Sequence, residues 1–491
     1  MQKNNHKQID KTAMVKSNSK IRLLLMFLLQ SIFALCSAQT VRMDINGAIL
    51  KALKNNNNVR IANMDVVKAE TAVNEAYGYA YPTVDFSTDF SHFLTKPKTP
   101  FPDFEALLTN ATYKILFDEK VLPQDDNKYL PIATKLQSFA QTNSFESRIT
   151  VTQTLFNSTV FRGIGASQYY LDLSKEKLKS VVSKTISDVK KAFYGVLLSR
   201  DLLDIVEASL KNAEENFADL KSHYEQGLVS DFDRLQVEVQ VENIRPKVLE
   251  LKRNLHDAQN SLKILLGISQ TEEIELDGSL NYSDENILEE SDAVSYASEN
   301  NYDLRTLKSK RKVDEAFIAL ETANYWPMLT AFGNYSYAGS SDDLKFNTYS
   351  STLVGLNLRI NLFNGGRTAN RVEQAEIGVK QSDEQIVLTK EFLIQQIKSK
   401  LYELNKVKSE INALERTVGL ASKAYEIARA RYNSGQGTQL EIKNADLELN
   451  TARTNRLQSV YSYITAKTEL DQLLGRIEEK YYNFMNDQLE K

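Results

Sequence analysis

Two hydrophobic periods run through this chain. The longer is seven. Val182, Val189, Val196, Leu203, Leu210, Phe217 and Tyr224 fall every seventh residue, with Thr185, Ala192, Ser199, Val206, Ala213 and Leu220 three further on. A later run repeats it as Ile397, Leu404, Ile411, Val418, Tyr425 and Tyr432. Between them, Val237, Val241, Ile244, Val248, Leu251 and Leu255 alternate steps of four and three. This is the coiled-coil repeat, and small residues along one seam let neighbouring backbones approach closely. No proline interrupts 159–224 or 367–432, so each run predicts a helix of roughly 100 Å. A compact domain cannot bury such a rod; other rods must cover it. Pro246 falls inside the first return helix and should bend it.

The shorter period is two. Val84, Phe86, Thr88 and Phe90 alternate with Asp85, Ser87, Asp89 and Ser91. Ile149, Val151 and Leu155 face away from Arg148, Thr150, Thr152 and Thr154. Leu329, Ala331, Tyr335 and Tyr337 oppose Thr330, Asn334 and Ser336, and Val354, Leu356, Leu358, Ile360 and Leu362 oppose Gly355, Asn357, Arg359 and Asn361. Such strands suit a half-buried sheet or a membrane barrel.

The order of elements occurs twice. Ala48, Asn55-Asn56 and Tyr81-Pro82 match Ala293, Asn300-Asn301 and Trp326-Pro327 at an offset of 245. Leu155-Phe156-Asn157 matches Leu362-Phe363-Asn364 at 207, and Leu265-Leu266-Gly267 matches Leu473-Leu474-Gly475 at 208. The first copy therefore carries a net insertion of 38 residues between Pro82 and Leu155. It holds five of the eight prolines and reads as a long surface loop. The repeat divides the chain into a first copy at 39–266, a linker at 267–292, a second copy at 293–475 and a tail at 476–491. Within the copies the expected strands are about 83–93, 147–156, 329–338 and 352–363. The long helices are about 159–225 and 366–433, and the return helices 231–266 and 438–474.

Composition narrows the class. Of 491 residues 42% are apolar and 25% charged, which suits a folded protein. One cysteine excludes a disulfide framework and a Cys-rich zinc site. Residues 1–38 read as a secretory signal peptide: six basic groups, the apolar run Leu23–Leu35, then Cys36-Ser37-Ala38. Met14 is an alternative start, and Cys36 a poor lipoprotein site, because Leu35 is bulky where a small residue is wanted. Removing six basic groups and Asp10 from totals of 60 and 64 leaves 54 against 63, a balance of −9. An acidic exported chain is a poor nucleic-acid binder. No later stretch is apolar enough for a membrane helix, so a membrane role must rest on strands. Four strands cannot close a barrel, and open edges cannot face lipid. Several chains must therefore share one.

The ordered set, occurring twice, resembles the TolC family of outer-membrane efflux proteins over nearly all of the mature chain. It comprises Tyr81-Pro82 and Trp326-Pro327, Leu-Phe-Asn at 155–157 and 362–364, and the turns Tyr224-Glu225-Gln226-Gly227 and Tyr432-Asn433-Ser434-Gly435. The resemblance implies a mainly α fold with β: a homotrimer with four strands per chain in a shared 12-stranded transmembrane barrel, plus long antiparallel coiled-coil helices. It implies an equatorial belt near Ile45–Leu53, 267–292 and the tail. It also implies an exit duct in the cell outer membrane that extends into the periplasm. The duct would serve tripartite efflux or type I secretion, passively, with a periplasmic adaptor (membrane fusion protein), an inner-membrane pump and outer-membrane lipid as partners.

The family's adaptor-docking tips fall here on Gly227, Leu228, Val229 and Ser230, and on Gly435, Gln436, Gly437 and Thr438. The glycines also suit a left-handed turn, and Ser230 and Thr438 a helix cap, which would suffice for the fold alone. The family's periplasmic gate maps onto Asp233, Tyr432, Glu441 and Asn444, with Gly437 at its basic position. Solvated charge near a helix N-terminus also accounts for Asp233 and Glu441. His6, His92, His223 and His256 are scattered, no Gly-rich phosphate loop occurs and no catalytic constellation stands out, so no enzyme, metal or cofactor is implied. The competing reading is a structural or adhesive coiled-coil surface protein without transport, which explains the heptads but not the paired strands.

Overall fold

A computed structural model describes residues 41–284 and 287–489. The segment read as a signal peptide, with Cys36 and Met14, lies outside the described residues. The elements run β1 (Val41–Met43), α1 (Ile45–Asn55), α2 (Asn57–Gly78), β2 (Thr83–His92), β3 (Thr99–Pro102), α3 (Phe104–Asp118), β4 (Thr134–Gln137) and β5 (Asn143–Asn157). Then follow α4 (Ser158–Glu225), α5 (Asp231–Leu266), β6 (Ile274–Leu276), α6 (Glu290–Asn300), α7 (Tyr302–Thr322), β7 (Met328–Ser341), β8 (Asn347–Arg359), α8 (Arg367–Asn433), α9 (Gln439–Leu474) and α10 (Glu479–Leu489). Two units result, one of residues up to 70, 169–314 and from 377, the other of 71–168 and 315–376.

The second unit holds a four-stranded antiparallel sheet in the order β2-β5-β7-β8. Its register aligns Val84 with Val151, Gly333 with Val151, and Val354 with Gly333, so apolar positions share one face across all four strands. Asp85, Thr150 and Asn334 align on the other. Leu155 is bulged out between Thr154 and Phe156. β8 stops at Arg359, short of the period-two pattern that runs on to Leu362. Its partner is the reason: Arg359 pairs with Met328, and the preceding Pro327 has no N–H to continue the ladder. Phe332 breaks the alternation. It lies on the polar face, where Gly355 makes room: a Cβ at Gly355 would sit 2.7 Å from the Phe332 ring.

The insertion between β2 and β5 is built rather than loose. β3 and β4 form a hairpin around α3. Asp103 caps α3 and pairs with Lys135, and Tyr113, Phe117 and Tyr129 form an aromatic cluster beneath. The prolines there shape turns around a helix that its loop-like composition hid.

The first unit is helical. Arg245 pairs with Glu214 at 2.9 Å and Lys252 with Glu207 at 2.8 Å, setting α4 and α5 antiparallel. Arg456 and Glu415, 3.1 Å apart, do the same for α9 and α8. The seam residues Val182, Val189, Val196, Ile397, Leu404 and Ile411 are buried in one core with Leu262, Leu266, Leu470 and Leu474. Towards the hairpin ends the same heptad positions, Leu210, Phe217, Val418 and Tyr425, are only half-buried. α5 continues through Pro246 as a single helix. β1 and β6 pair in parallel beside the core.

Candidate functional site: the two helix-turn-helix tips

α4 ends because Gly227 takes φ +75°, and Gly435 at φ +74° does the same for α8. In each turn two amides close back on the helix. Gly227 N–H donates to Tyr224 O and Leu228 N–H to His223 O, both 2.9 Å; Gly435 donates to Tyr432 O and Gln436 to Arg431 O at the same length. This paired 5→2 and 6→1 closure satisfies carbonyls that the helix end would orphan. The return helices start on side-chain caps. Ser230 Oγ accepts from Asp233 N at 3.1 Å and donates to Asp233 Oδ2 at 2.6 Å. Thr438 Oγ1 accepts from Glu441 N at 3.3 Å.

The tips are not equivalent. Where the first has Val229, the second has Gly437, and a Cβ there would lie 2.9 Å from Tyr432 N. The second turn is therefore folded too closely onto its own helix to carry a side chain at 437. Leu228 is exposed, as are Gln436 and Asn444. Asp233 and Glu441 are each engaged within their own tip. Glu441 Oε2 lies 3.5 Å from Arg431 Nη1, and Arg431 Nη2 donates to Gln436 O at 3.1 Å. Arg234 is held by Asp231 and Glu238 at 2.8 and 2.7 Å.

A polar cavity of about 240 Å³ separates the two hairpins just behind the tips, and Tyr432 is among its lining residues. It is bridged from α4 to α9. Asn216 and Gln439 exchange amide hydrogen bonds of 2.9 and 3.2 Å. Ser209 Oγ donates to Asp446 Oδ2 at 2.9 Å, and Asn450 donates to the same oxygen at 3.0 Å. Burial pushes the Asp446 carboxyl above its ordinary range, against these hydrogen bonds and nearby Arg453. Deeper in the hairpins, Glu469 of α9 sits 3.3 Å from Lys191 of α4 and 2.8 Å from Lys400 of α8.

Arg431, Asn216, Gln439 and Asp446 were missed by sequence reasoning. Arg431 and Glu441 are ten residues apart, and only the turn geometry joins them. Asn216 and Gln439 are 223 apart and occupy no heptad position that marks them as partners. Among the described residues no His, Cys, Asp and Glu cluster is placed to hold a metal, and no helix is long and apolar enough to cross a membrane.

The described residues thus combine antiparallel coiled-coil hairpins with a four-stranded antiparallel sheet whose outer strands, β2 and β8, have no further strand partner among them. The chain belongs to the outer membrane efflux protein family, whose model matches residues 98–268 and 293–476, one segment for each copy of the repeat. Outer membrane protein TolC of Vibrio cholerae serotype O1 is 24% identical over 322 residues, covering 63% of this chain and 73% of its own. Alkaline protease secretion protein AprF of Pseudomonas aeruginosa is 22% identical over 347 residues, covering 69% and 71%. The solved Campylobacter jejuni CmeC outer membrane channel superposes with a TM-score of 0.71 at 15% identity, covering 91% of this chain and 89% of that one. The chain is thus an outer-membrane protein with a TolC-like fold.

Proposed function

We propose that three copies of this chain form a passive exit duct for efflux or type I secretion. Their sheets would close a 12-stranded barrel with the apolar faces in lipid and the polar faces around a wet lumen. The observation that carries this is the pair of open edges. β2 and β8 have no further strand partner among the described residues, yet both present apolar side chains: Phe86 is 69% and Val354 78% exposed. Unpaired backbone groups cannot face hydrocarbon, and four strands cannot close on themselves. Edge-to-edge joining of copies removes both problems. Phe232, Val239, Leu420 and Ile427 on the helices are also exposed, and sister hairpins would cover them.

The tips then serve as gate and adaptor-docking surface. Gly227–Ser230 and Gly435–Thr438 are the docking turns. Asp233, Tyr432, Glu441 and Asn444 lie at the gate, held by contacts within each tip and by the bridges across the polar cavity. A periplasmic adaptor that binds the open arrangement more tightly shifts the population towards it, and an inner-membrane pump supplies energy and cargo. A coiled-coil surface fibre accounts for the hairpins and leaves the sheet without a purpose. Planar-bilayer recording tests the duct: the purified protein should give discrete conductance steps that rise when the tips are loosened. No conductance at any pH, even with altered tips, rejects it.

A further inference from the structure

Where the sheet hands over to the long helices, the polar face opens into a cavity of about 460 Å³. Arg359, Arg367 and Arg371 all line it, with Asn157, Asn361 and Asn364 among its other walls and no carboxylate in its lining. Arg359 ends β8 opposite Met328, and Arg367 opens α8. Arg371 follows one turn later, on the same side of the helix as Arg367. None of the three makes an ion pair among the described residues. Arg367 spends one donor, Nε, on Asn364 O at 3.0 Å. The polar-face acids elsewhere in the sheet lie on other strands, and Glu146 is already occupied by Arg148 at 2.6 Å.

Three like charges facing one hollow repel one another, and folding alone gives no reason to gather them. The repeat makes the point internally. At the offset of 207 the first copy has Thr152, Val160 and Ile164, none of them basic. Within 152–164 the first copy carries a single arginine, Arg162, so the same strand-to-helix passage is built without a cluster of three.

We propose that Arg359, Arg367 and Arg371 form a subsite for oxyanions, of the phosphate class, at the end of the barrel from which the helices leave. Guanidinium forks match tetrahedral oxyanions by paired, charge-assisted hydrogen bonds. The N-terminal amides of α8 add positive potential at the same place. The asparagines contribute neutral donors that do not compete for the charge. The proposal rests on the duct reading, because that reading turns the polar face towards the lumen. Three clusters would then ring the bore, and anionic solutes would pause there on their way out.

The test uses the purified full-length protein in an uncharged detergent and titrates it with inorganic phosphate by calorimetry. Wild type should bind saturably. Arg359→Gln, Arg367→Gln and Arg371→Gln should each weaken binding by about tenfold, and the triple variant should abolish it. Arg371→Lys should keep part of the affinity, as a point charge without the fork. A trimer band on unheated gels shows that each variant has assembled. A second arm measures lipid phosphorus retained after extraction from the membrane. Phosphorus lost specifically in the triple variant, with no response to free phosphate, assigns the oxyanion to a lipid headgroup. Equal behaviour of wild type and triple variant in both arms overturns the subsite. Absence of a wild-type trimer and of its conductance strikes the duct reading instead.

Discussion

The carboxamide of Asn56 donates to the carbonyl of Leu265 at 2.8 Å, joining residues 209 apart. Its oxygen meanwhile accepts from Asn58 N at 2.9 Å and so opens α2. The second copy repeats the arrangement. Asn301 donates to Leu473 O at 2.9 Å while accepting from Leu304 N at 2.9 Å. Both asparagines are buried, and the neighbouring Gly267 and Gly475 take φ +64° and +71°. One side chain thus caps a helix start and satisfies the end of a helix from the far side of the copy.

Removing that bond should be costly in both copies. Asn301→Ala loses a cap, about 1 kcal/mol, and leaves the part-buried Leu473 carbonyl without this partner, about 1 kcal/mol more. Gly475→Ala should be worse, because its Cβ would sit 2.1 Å from Asn300 O. Thermal unfolding monitored by circular dichroism should show Gly475→Ala below Asn301→Ala and both below wild type. Equal melting temperatures for all three would refute the joint.

At the tips, burial separates two kinds of contact. The Arg431–Glu441 pair is exposed, and such pairs contribute about 0–1 kcal/mol. Gln439 is only 8% exposed, so truncating it strands the Asn216 amide and costs about 1–3 kcal/mol. Gln439→Ala should therefore raise the open fraction in bilayer recordings by about fivefold or more, and Arg431→Gln by much less. The reverse ranking would place the gate in the surface ion pair.

Two half-buried carboxyls give opposite pH dependences. Burial raises Asp446 above its usual 3.8. The packed hairpins then hold its proton more tightly than the unpacked chain does, so ionisation costs packing as pH climbs through the raised value. Burial also acts to raise Glu469, but Lys400 and Lys191 outweigh it and hold it below its usual 4.5. That contribution is present above the unfolded value and disappears as pH falls through the folded one. Melting temperatures between pH 8 and 3 should rise modestly with mild acidification, then fall. Asp446→Asn should remove the rise, and Glu469→Gln should lower stability at pH 7 and flatten the fall. Unchanged profiles would show that neither group is linked to packing.

The two faces of β8 should differ in tolerance. Leu356→Arg puts a charge on the apolar face, a cost of about 2–4 kcal/mol if that face meets lipid. Asn357→Arg, one residue on, lies on the polar face. Membrane-fraction yield of heat-sensitive oligomer should drop for the first and hold for the second; equal yields would contradict the assignment of faces.

How much of this was legible depended on the reach of each interaction. The heptads from Val182 and Ile397 and the alternation of β2 and β8 are local periods, and they carry the helices and the sheet. The matching of Asn55-Asn56 with Asn300-Asn301 was visible as a repeat, but the bond from Asn56 to Leu265 was not, since nothing local marks a partner 209 residues away. α3 was hidden by prolines on either side of a short amphipathic run. Phe332 broke the period because it serves Gly355 on the neighbouring strand. At the tips the glycine turns were readable, while Arg431 and Asp446 acquire their roles only when the turn or the second hairpin brings a partner close.

Edge joining is the step on which the duct depends, and cysteine crosslinking between copies measures it directly. The sequence has a single natural cysteine, Cys36, which a scan can replace. Pairs of cysteines should be placed along Thr83–His92 and Asn347–Arg359 and treated with a short thiol crosslinker in the outer membrane. The account predicts a covalent trimer on denaturing gels for pairs in register, and only monomer for either cysteine alone. Monomer at every pairing along both edges would contradict it.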